Sequence, residues 1–417
     1  MITGSKAGRV IVALLLTTGI STARTLSPAD TLGPTLRAGF AEGRFGSAIA
    51  VGDVDGDGHP DLVVGAPGTS TETGEALGGA VYVLDVSLDH EGLSPFARGE
   101  GPRDQLGAAV VVRDLDGDGI DDLIATAPGA SPGERTAAGV VRVWLGPLRD
   151  ADEAALVIEG ERPGDRFGAS ALVVDVDGDG SAELLVAAPR GGAPDRIGFG
   201  TVSVIPWTAL ADLSGRVSAG EVAVVTIRGD EKGDALSALA SGDIDGDGMA
   251  EIIVGAPHAD GRDYDFVDAG KVGIFRLRGE LPDTLLFSDA ATLIHGAHAR
   301  GFLGAALATG DVTGDGIDEL VMGAPTAGQK GDGGEVSGHA FVLFGEPEGP
   351  PLEIFLAESD IPRAHSERWE LFGAAVVADD VDGDRTADLL FGAPFLSCDG
   401  GDTRCGGVFI YRGSLRS

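Results

Sequence analysis

Cysteine is almost missing: the 417 residues include two, Cys398 and Cys405. A disulfide-built scaffold is therefore excluded, and so is a cysteine-rich zinc module. Aromatic residues make up only 5%, and 30 basic residues face 66 acidic ones, for a net charge of −36. That sign repels phosphate backbones and anionic lipid, which excludes nucleic acid and membrane surfaces as expected partners. Long apolar runs are scarce too. The one near the N-terminus, residues 10–20, spans about eleven positions and cannot cross a ~30 Å hydrocarbon core. Lys6 and Arg9 precede it and Ser21-Thr22-Ala23 follows, the pattern of a secretory signal cut after Ala23. Residues 1–23 are thus expected to be a signal peptide. Residues 24–417 are expected to form a single domain that is secreted, periplasmic or held at the cell surface. In such an oxidising compartment Cys398 and Cys405 are expected to close a small loop, two free thiols being the alternative.

Catalytic constellations are equally scarce. There is no Gly-x-Ser-x-Gly elbow and no phosphate-binding loop. Of the seven histidines, His295 and His298 stand close together, but in a Gly-containing stretch rather than on a metal-protease helix. The expectation from sequence is a binding or scaffolding module and not an enzyme. The alternative is an extracellular hydrolase of glycan or phospholipid, its carboxylates assembled across the fold.

What the chain does have is glycine, 68 residues of it, and repetition. Asp53-Val54-Asp55-Gly56-Asp57-Gly58 recurs with small changes from Asp114, Asp175, Asp243, Asp311 and Asp380, at intervals of 61, 61, 68, 68 and 69 residues. A small residue and then Ala-Pro follow each copy, as in Gly65-Ala66-Pro67 and Gly392-Ala393-Pro394. Phe45-Gly46, Leu106-Gly107, Phe167-Gly168, Leu303-Gly304 and Phe372-Gly373 precede five copies, and the fourth has Ala235-Leu236 instead. Short apolar runs divided by Gly and Pro read as strands: 47–51, 62–64, 80–84, 155–158 and 407–412. Four strands per repeat of this length is the pattern of a propeller blade. The last repeat lacks a fourth strand, and the stretch 34–38 sits where one belongs. An N-terminal strand is therefore expected to complete the C-terminal blade and hide two sheet edges.

Within each acidic loop, positions one, three, five and nine carry oxygen side chains, and position seven offers a carbonyl. In the first loop these are Asp53, Asp55, Asp57, Asp61 and His59; in the second Asp114, Asp116, Asp118, Asp122 and Ile120. In the third they are Asp175, Asp177, Asp179, Glu183 and Ser181; in the fourth Asp243, Asp245, Asp247, Glu251 and Met249. The fifth has Asp311, Thr313, Asp315, Glu319 and Ile317, and the sixth Asp380, Asp382, Asp384, Asp388 and Thr386. An all-oxygen cage suits a hard cation, and Ca²⁺ accepts the flexible, higher-coordinate geometry best. Up to six calcium ions are expected. The fifth and sixth sites should be weaker, because Thr313 replaces a carboxylate and Arg385 adds a positive charge. An EF-hand needs a bidentate Glu at position twelve. Val64, Ala125, Val186, Val254, Met322 and Phe391 stand there, so each loop runs into a buried strand.

Phe-Gly, the acidic loop and Gly-Ala-Pro in this order resemble the FG-GAP repeat of integrin α-subunit propellers and their bacterial relatives. The resemblance covers nearly all of residues 24–417. It implies an all-β propeller of four-stranded antiparallel blades, calcium in the first hairpin of each blade, and partner contacts on the opposite face. Integrin propellers have seven blades; the six motifs here make six the expectation and seven the alternative. By that analogy Tyr264, Phe266 and Trp369 fall in loops of the partner face. Their expected ligand is a protein or carbohydrate at the cell surface.

Overall fold

The computed structural model describes residues 24–26, 43–74, 76–85, 94–149, 153–192, 198–261, 266–278, 282–327, 338–347, 349–356, 371–381, 383–394 and 407–413. Residues 1–23, expected to be a signal peptide, residues 34–38, the two cysteines, Tyr264, Trp369 and Asp382 lie outside them.

Each acidic loop is the turn of a β-hairpin. Ala48–Gly52 enters the first loop, Asp61–Ala66 leaves it, and Ala80–Asp85 and Ala97–Arg98 extend the sheet outward. The second strand of every blade is nearly wholly buried, as in Asp122–Ala127 and Glu183–Ala188. A strand covered on both faces needs a continuous apolar run, and "LVVGA" and "LLVAA" supply it. Six such sheets are the blades of a β-propeller, and among the described residues helix is confined to single turns such as Trp207–Leu210 and Ala219–Val222.

The longer repeats use their extra residues to widen sheets. Gly215–Ser218 adds a parallel edge strand beside Leu156–Glu159 of blade two. Thr284–Leu286 does so beside Val225–Arg228 of blade three, and Glu353–Phe355 beside Thr292–His295 of blade four. Blade six is Ala375–Asp379, Asp388–Ala393 and Gly407–Tyr411, completed by Arg24–Leu26 running antiparallel to the last of these. An N-terminal strand does complete the last blade, and the described one is Arg24–Leu26. Its register, Arg24 opposite Ile410 and Leu26 opposite Val408, uses the outer edge that the last repeat leaves open.

Blades one to three form one compact unit, and blades four to six with Arg24–Leu26 form another. In the first unit, apolar clusters fill the gaps between successive blades. Val63, Val81, Leu123 and Trp144 lie between blades one and two; Ile124, Ile158, Val186 and Ile205 lie between two and three. In the second unit Ile253, Ile274, Met322 and Phe341 join blades four and five, and Val321, Val342 and Phe391 join five and six.

The repeat's two glycines are explained by the same packing. Gly107, from the Phe-Gly position of blade two, sits at φ +84° and donates its N–H to the Thr126 carbonyl. Its own carbonyl lies against Gly65 of blade one, where a Cβ would come within 2.1 Å. Gly255 with Gly304 and Gly323 with Gly373 repeat that contact in the other unit. Glycine is needed because backbone meets backbone there.

Candidate metal centres

The hairpin turns are organised by their own aspartates. In the first loop Asp53 accepts the N–H groups of Gly56 (2.8 Å), Asp57 (3.1 Å) and Gly58 (2.9 Å). Asp55 accepts Asp57 N–H and Asp57 accepts His59 N–H. The first Asp accepts the position-six N–H in every loop and the position-four N–H in loops two, three, five and six, as Asp114 does from Gly119 and Gly117 and Asp311 from Gly316 and Gly314. Gly56 and Gly58, at φ +76° and +86°, permit the curl. In the sixth loop Arg385 stands at the second glycine's place with φ +73°, a conformation that strains a side chain.

The ninth position is the buried anchor. Asp61, Asp122, Glu183, Glu251, Glu319 and Asp388 all open the second strand and are at most 5% exposed. Each accepts the N–H of the loop's second residue, as Asp122 Oδ2 does from Leu115 and Glu183 Oε2 from Val176. Burial pushes Asp122 up to about 6, and Glu183 and Glu319 up to about 7, with the other loop carboxylates raising them further. Asp61 is raised by the same causes. A buried carboxylate facing other carboxylates is costly to ionise without a cation, and a hard cation removes that cost. The donor set fits one.

Four loops bring three carboxylates within 4.8 Å of one another. These are Asp53, Asp55 and Asp57; Asp114, Asp116 and Asp122; Asp175, Asp177 and Glu183; and Asp243, Asp245 and Glu251. Among the described residues, loops five and six form no such group. Loop five has Thr313 at its third position, and Asp382 of loop six is not described.

Three features were beyond reach of loop spacing. Arg276, on Lys271–Phe275's outgoing chain, places Nε 2.9 Å from Asp245 and 3.8 Å from Glu251. Its charge would compete with a cation in loop four. Asp121, at position eight of loop two, accepts Asp53 N–H (3.0 Å) across the blade gap while its own N–H donates to the Asp53 carbonyl. Asp318 of loop five does the same to Asp243 of loop four (3.0 Å and 2.8 Å). Gly52 and Gly242 make room: a Cβ on either would sit within 2.6 Å of these carboxylates. An acid at position eight paired with Gly just before the partner loop was the available signal.

The Ala-Pro end of each blade lies opposite the acidic loops. The turns before Phe-Gly there carry Asp104, Asp165 and Asp234 in equivalent places. Asp104 accepts Gly101 N–H (2.8 Å) and Asp234 accepts Glu231 N–H (2.9 Å). Asp165 lines a cavity of about 210 Å³ between blades two and three, with Glu161, Arg162 and Arg228. Burial lifts its carboxyl to about 6, Arg162 opposing the shift and Glu161 adding to it. Of the residues expected on the partner face, Phe266 is described; it is 43% exposed.

An FG-GAP repeat model matches residues 45–84, 106–144, 167–205, 235–275 and 303–339. Phosphatidylinositol-glycan-specific phospholipase D of Homo sapiens is 27% identical over 413 residues, covering 90% of this chain and 46% of that protein. Integrin alpha-PS2 of Drosophila melanogaster is 32% identical over 237 residues, 54% of this chain and 15% of that protein. A crystal structure of an exotype rhamnogalacturonan lyase aligns at TM-score 0.37 and 14% identity, over 90% of this chain and 65% of that one. The chain thus spans about half the phospholipase's length and a smaller part of the integrin's. The expectation of a non-enzyme is overturned here, because a protein similar along nine-tenths of the chain is named as a phospholipase. The sequence missed it because the acids that stand out are held in the loops, leaving no familiar catalytic motif.

Proposed function

This chain is an FG-GAP repeat propeller of the integrin α-like kind, and from that premise we propose that it is the calcium-loaded propeller of an exported hydrolase acting on glycan or phospholipid. The observation that carries the hydrolase reading is the 27% identity to phosphatidylinositol-glycan-specific phospholipase D over 90% of the chain. Calcium, in this reading, holds the hairpin turns. Asp53, Asp114, Asp175, Asp243 and their loop partners would bind it and hold the strand ends in register. It takes no part in bond cleavage.

Chemistry is assigned to the opposite end, where Asp165 is the candidate general acid. A carboxyl raised to about 6 keeps its proton at mildly acidic pH and can pass it to a leaving oxygen. Arg228 and Arg162, in the same cavity, suit the charge that develops on a phosphodiester or glycosidic oxygen. The test is product release by the purified chain, in calcium, from phosphatidylinositol-glycan and from a polysaccharide panel. Hydrolysis lost in Asp165→Asn supports the reading; no product from any substrate overturns it.

A second reading, calcium-dependent adhesion without turnover, is favoured by the integrin identity and by exposed Phe266 and Val267. Saturable retention on a protein or glycan array with no product released would select it.

A further inference from the structure

Blade three differs from its neighbours on one face. Thr201 lies opposite Arg228, Ser203 opposite Thr226, and Thr226 opposite Thr284. Side chains alternate along a strand, so these five stand together on the face turned toward blade two. The places held here by Ser203 and Thr226 hold Arg142 and Val157 in blade two, and Gly273 and Leu293 in blade four. The row of hydroxyls belongs to blade three alone among these.

The row lines the cavity that holds Asp165. Among the described residues none of its four hydroxyls has a hydrogen bond, and Nε of Arg228 is buried without a partner. Buried polar groups are usually paired, so the unpartnered Arg228 Nε, beside four hydroxyls on the cavity wall that make no bond to the protein, marks a place for a polar ligand. Glu161 is held at the rim by the missing side chain of Gly220, where a Cβ would fall 1.8 Å from its carboxylate.

The chemistry selects the ligand class. Two carboxyl groups, Glu161 and Asp165, stand with two guanidinium groups, Arg162 and Arg228, so the bound ring itself needs no charge. Both hydrogen-bond donors and acceptors are present, as a ring of hydroxyls requires. Phe167, 3% exposed, gives an apolar floor for the C–H face of such a ring. At about 210 Å³ the space is below that of a drug-sized pocket and admits one ring rather than a chain.

We propose that the cavity between blades two and three binds a single uncharged polyhydroxylated ring, a sugar residue or a cyclitol. The proposal deepens the hydrolase reading and rests on it for the ring being part of the substrate. The ring lies across the hydroxyl row, its own hydroxyls donating to Glu161 and Asp165 and accepting from Arg228.

The test is isothermal titration of the full chain, in calcium, with methyl glycosides in one arm and myo-inositol in the other. Saturable binding at about 1–10 mM is expected in at least one arm, a range natural for one small ring. Thr284→Trp, at the exposed rim, should weaken it at least about tenfold by blocking access, and Arg228→Leu by removing donors. Both should melt close to the parent; if Arg228→Leu does not fold, the rim variant decides. Binding in the glycoside arm identifies a glycan residue, and binding in the inositol arm a headgroup. No saturation in either arm, or binding untouched by the rim variant, overturns the proposal. Ring binding lost in Thr284→Trp without any hydrolysis overturns the hydrolase reading and leaves this one standing.

Discussion

Asp122→Asn separates the two roles of the ninth position. Asp122 is 1% exposed, and both its oxygens accept backbone N–H groups, Leu115 at 2.8 Å and Gly146 at 2.8 Å. Asparagine has nearly the same shape but turns one acceptor into a donor, setting N–H against N–H. A buried unpaired group costs about 1–3 kcal/mol. Without calcium a second effect opposes that loss. The carboxyl is raised from 3.8 to about 6, so its ionisation at pH 7.5 costs about 3 kcal/mol, which the neutral amide escapes. The two nearly cancel, and in excess chelator the variant should lie within about 2 kcal/mol of the parent. With calcium bound there is no such relief, because the ion already stabilises the charge. A site filled at about 100 times its dissociation constant contributes about 2.7 kcal/mol, so the total loss is about 4–6 kcal/mol. If the three-blade unit melts cooperatively, that is about 10–20 °C by calorimetry. Equal losses in calcium and in chelator would refute the reasoning, since Asp122 would then act through its backbone bonds alone.

Arg276→Gln frees Asp245 and Glu251 from their ion pair and should tighten calcium binding at the fourth loop several-fold, read by titration with a calcium indicator. Gly107→Ala forces a side chain onto φ +84° and into the Ala80 carbonyl, 2.5 Å away; a loss of at least about 2 kcal/mol is expected in urea unfolding. Asp165→Asn should raise stability at pH 8 by up to about 2 kcal/mol and leave it unchanged near pH 4. The sign follows from a folded pKa of about 6 above the ordinary 3.8: the ionised group is unfavourable above pH 6, and the cost fades as pH falls toward 4. Thermal melts across that range check it.

Much of this was legible in the sequence because the repeat writes each physical need in a fixed place. Gly56 and Gly58 announce the turn, Asp61 its buried anchor, and the run after Asp61 a strand covered on both faces. The strands expected at 80–84 and 155–158 appear as Ala80–Asp85 and Leu156–Glu159. What stayed hidden depends on partners distant in sequence. Arg276 meets loop four only because its strand pairs with Glu251–Ala256, and nothing in the loop's spacing shows it. Asp121 reaches Asp53, 68 residues away, and the parallel edge strands form between segments about 58 residues apart. The polar row of blade three was equally invisible. Thr201, Ser203, Thr226 and Thr284 are ordinary strand residues until register sets them on one face.

Calcium gripped by the hairpin carboxylates is expected to hold the blades' ends. Equilibrium dialysis of the purified chain against about 1 mM calcium, with the bound ion counted by atomic emission, tests it most directly. At least four ions per chain are expected, from the four loops whose carboxylates converge, with a fall in melting temperature when chelator removes them. A chain that retains no calcium and melts identically in chelator would contradict the account.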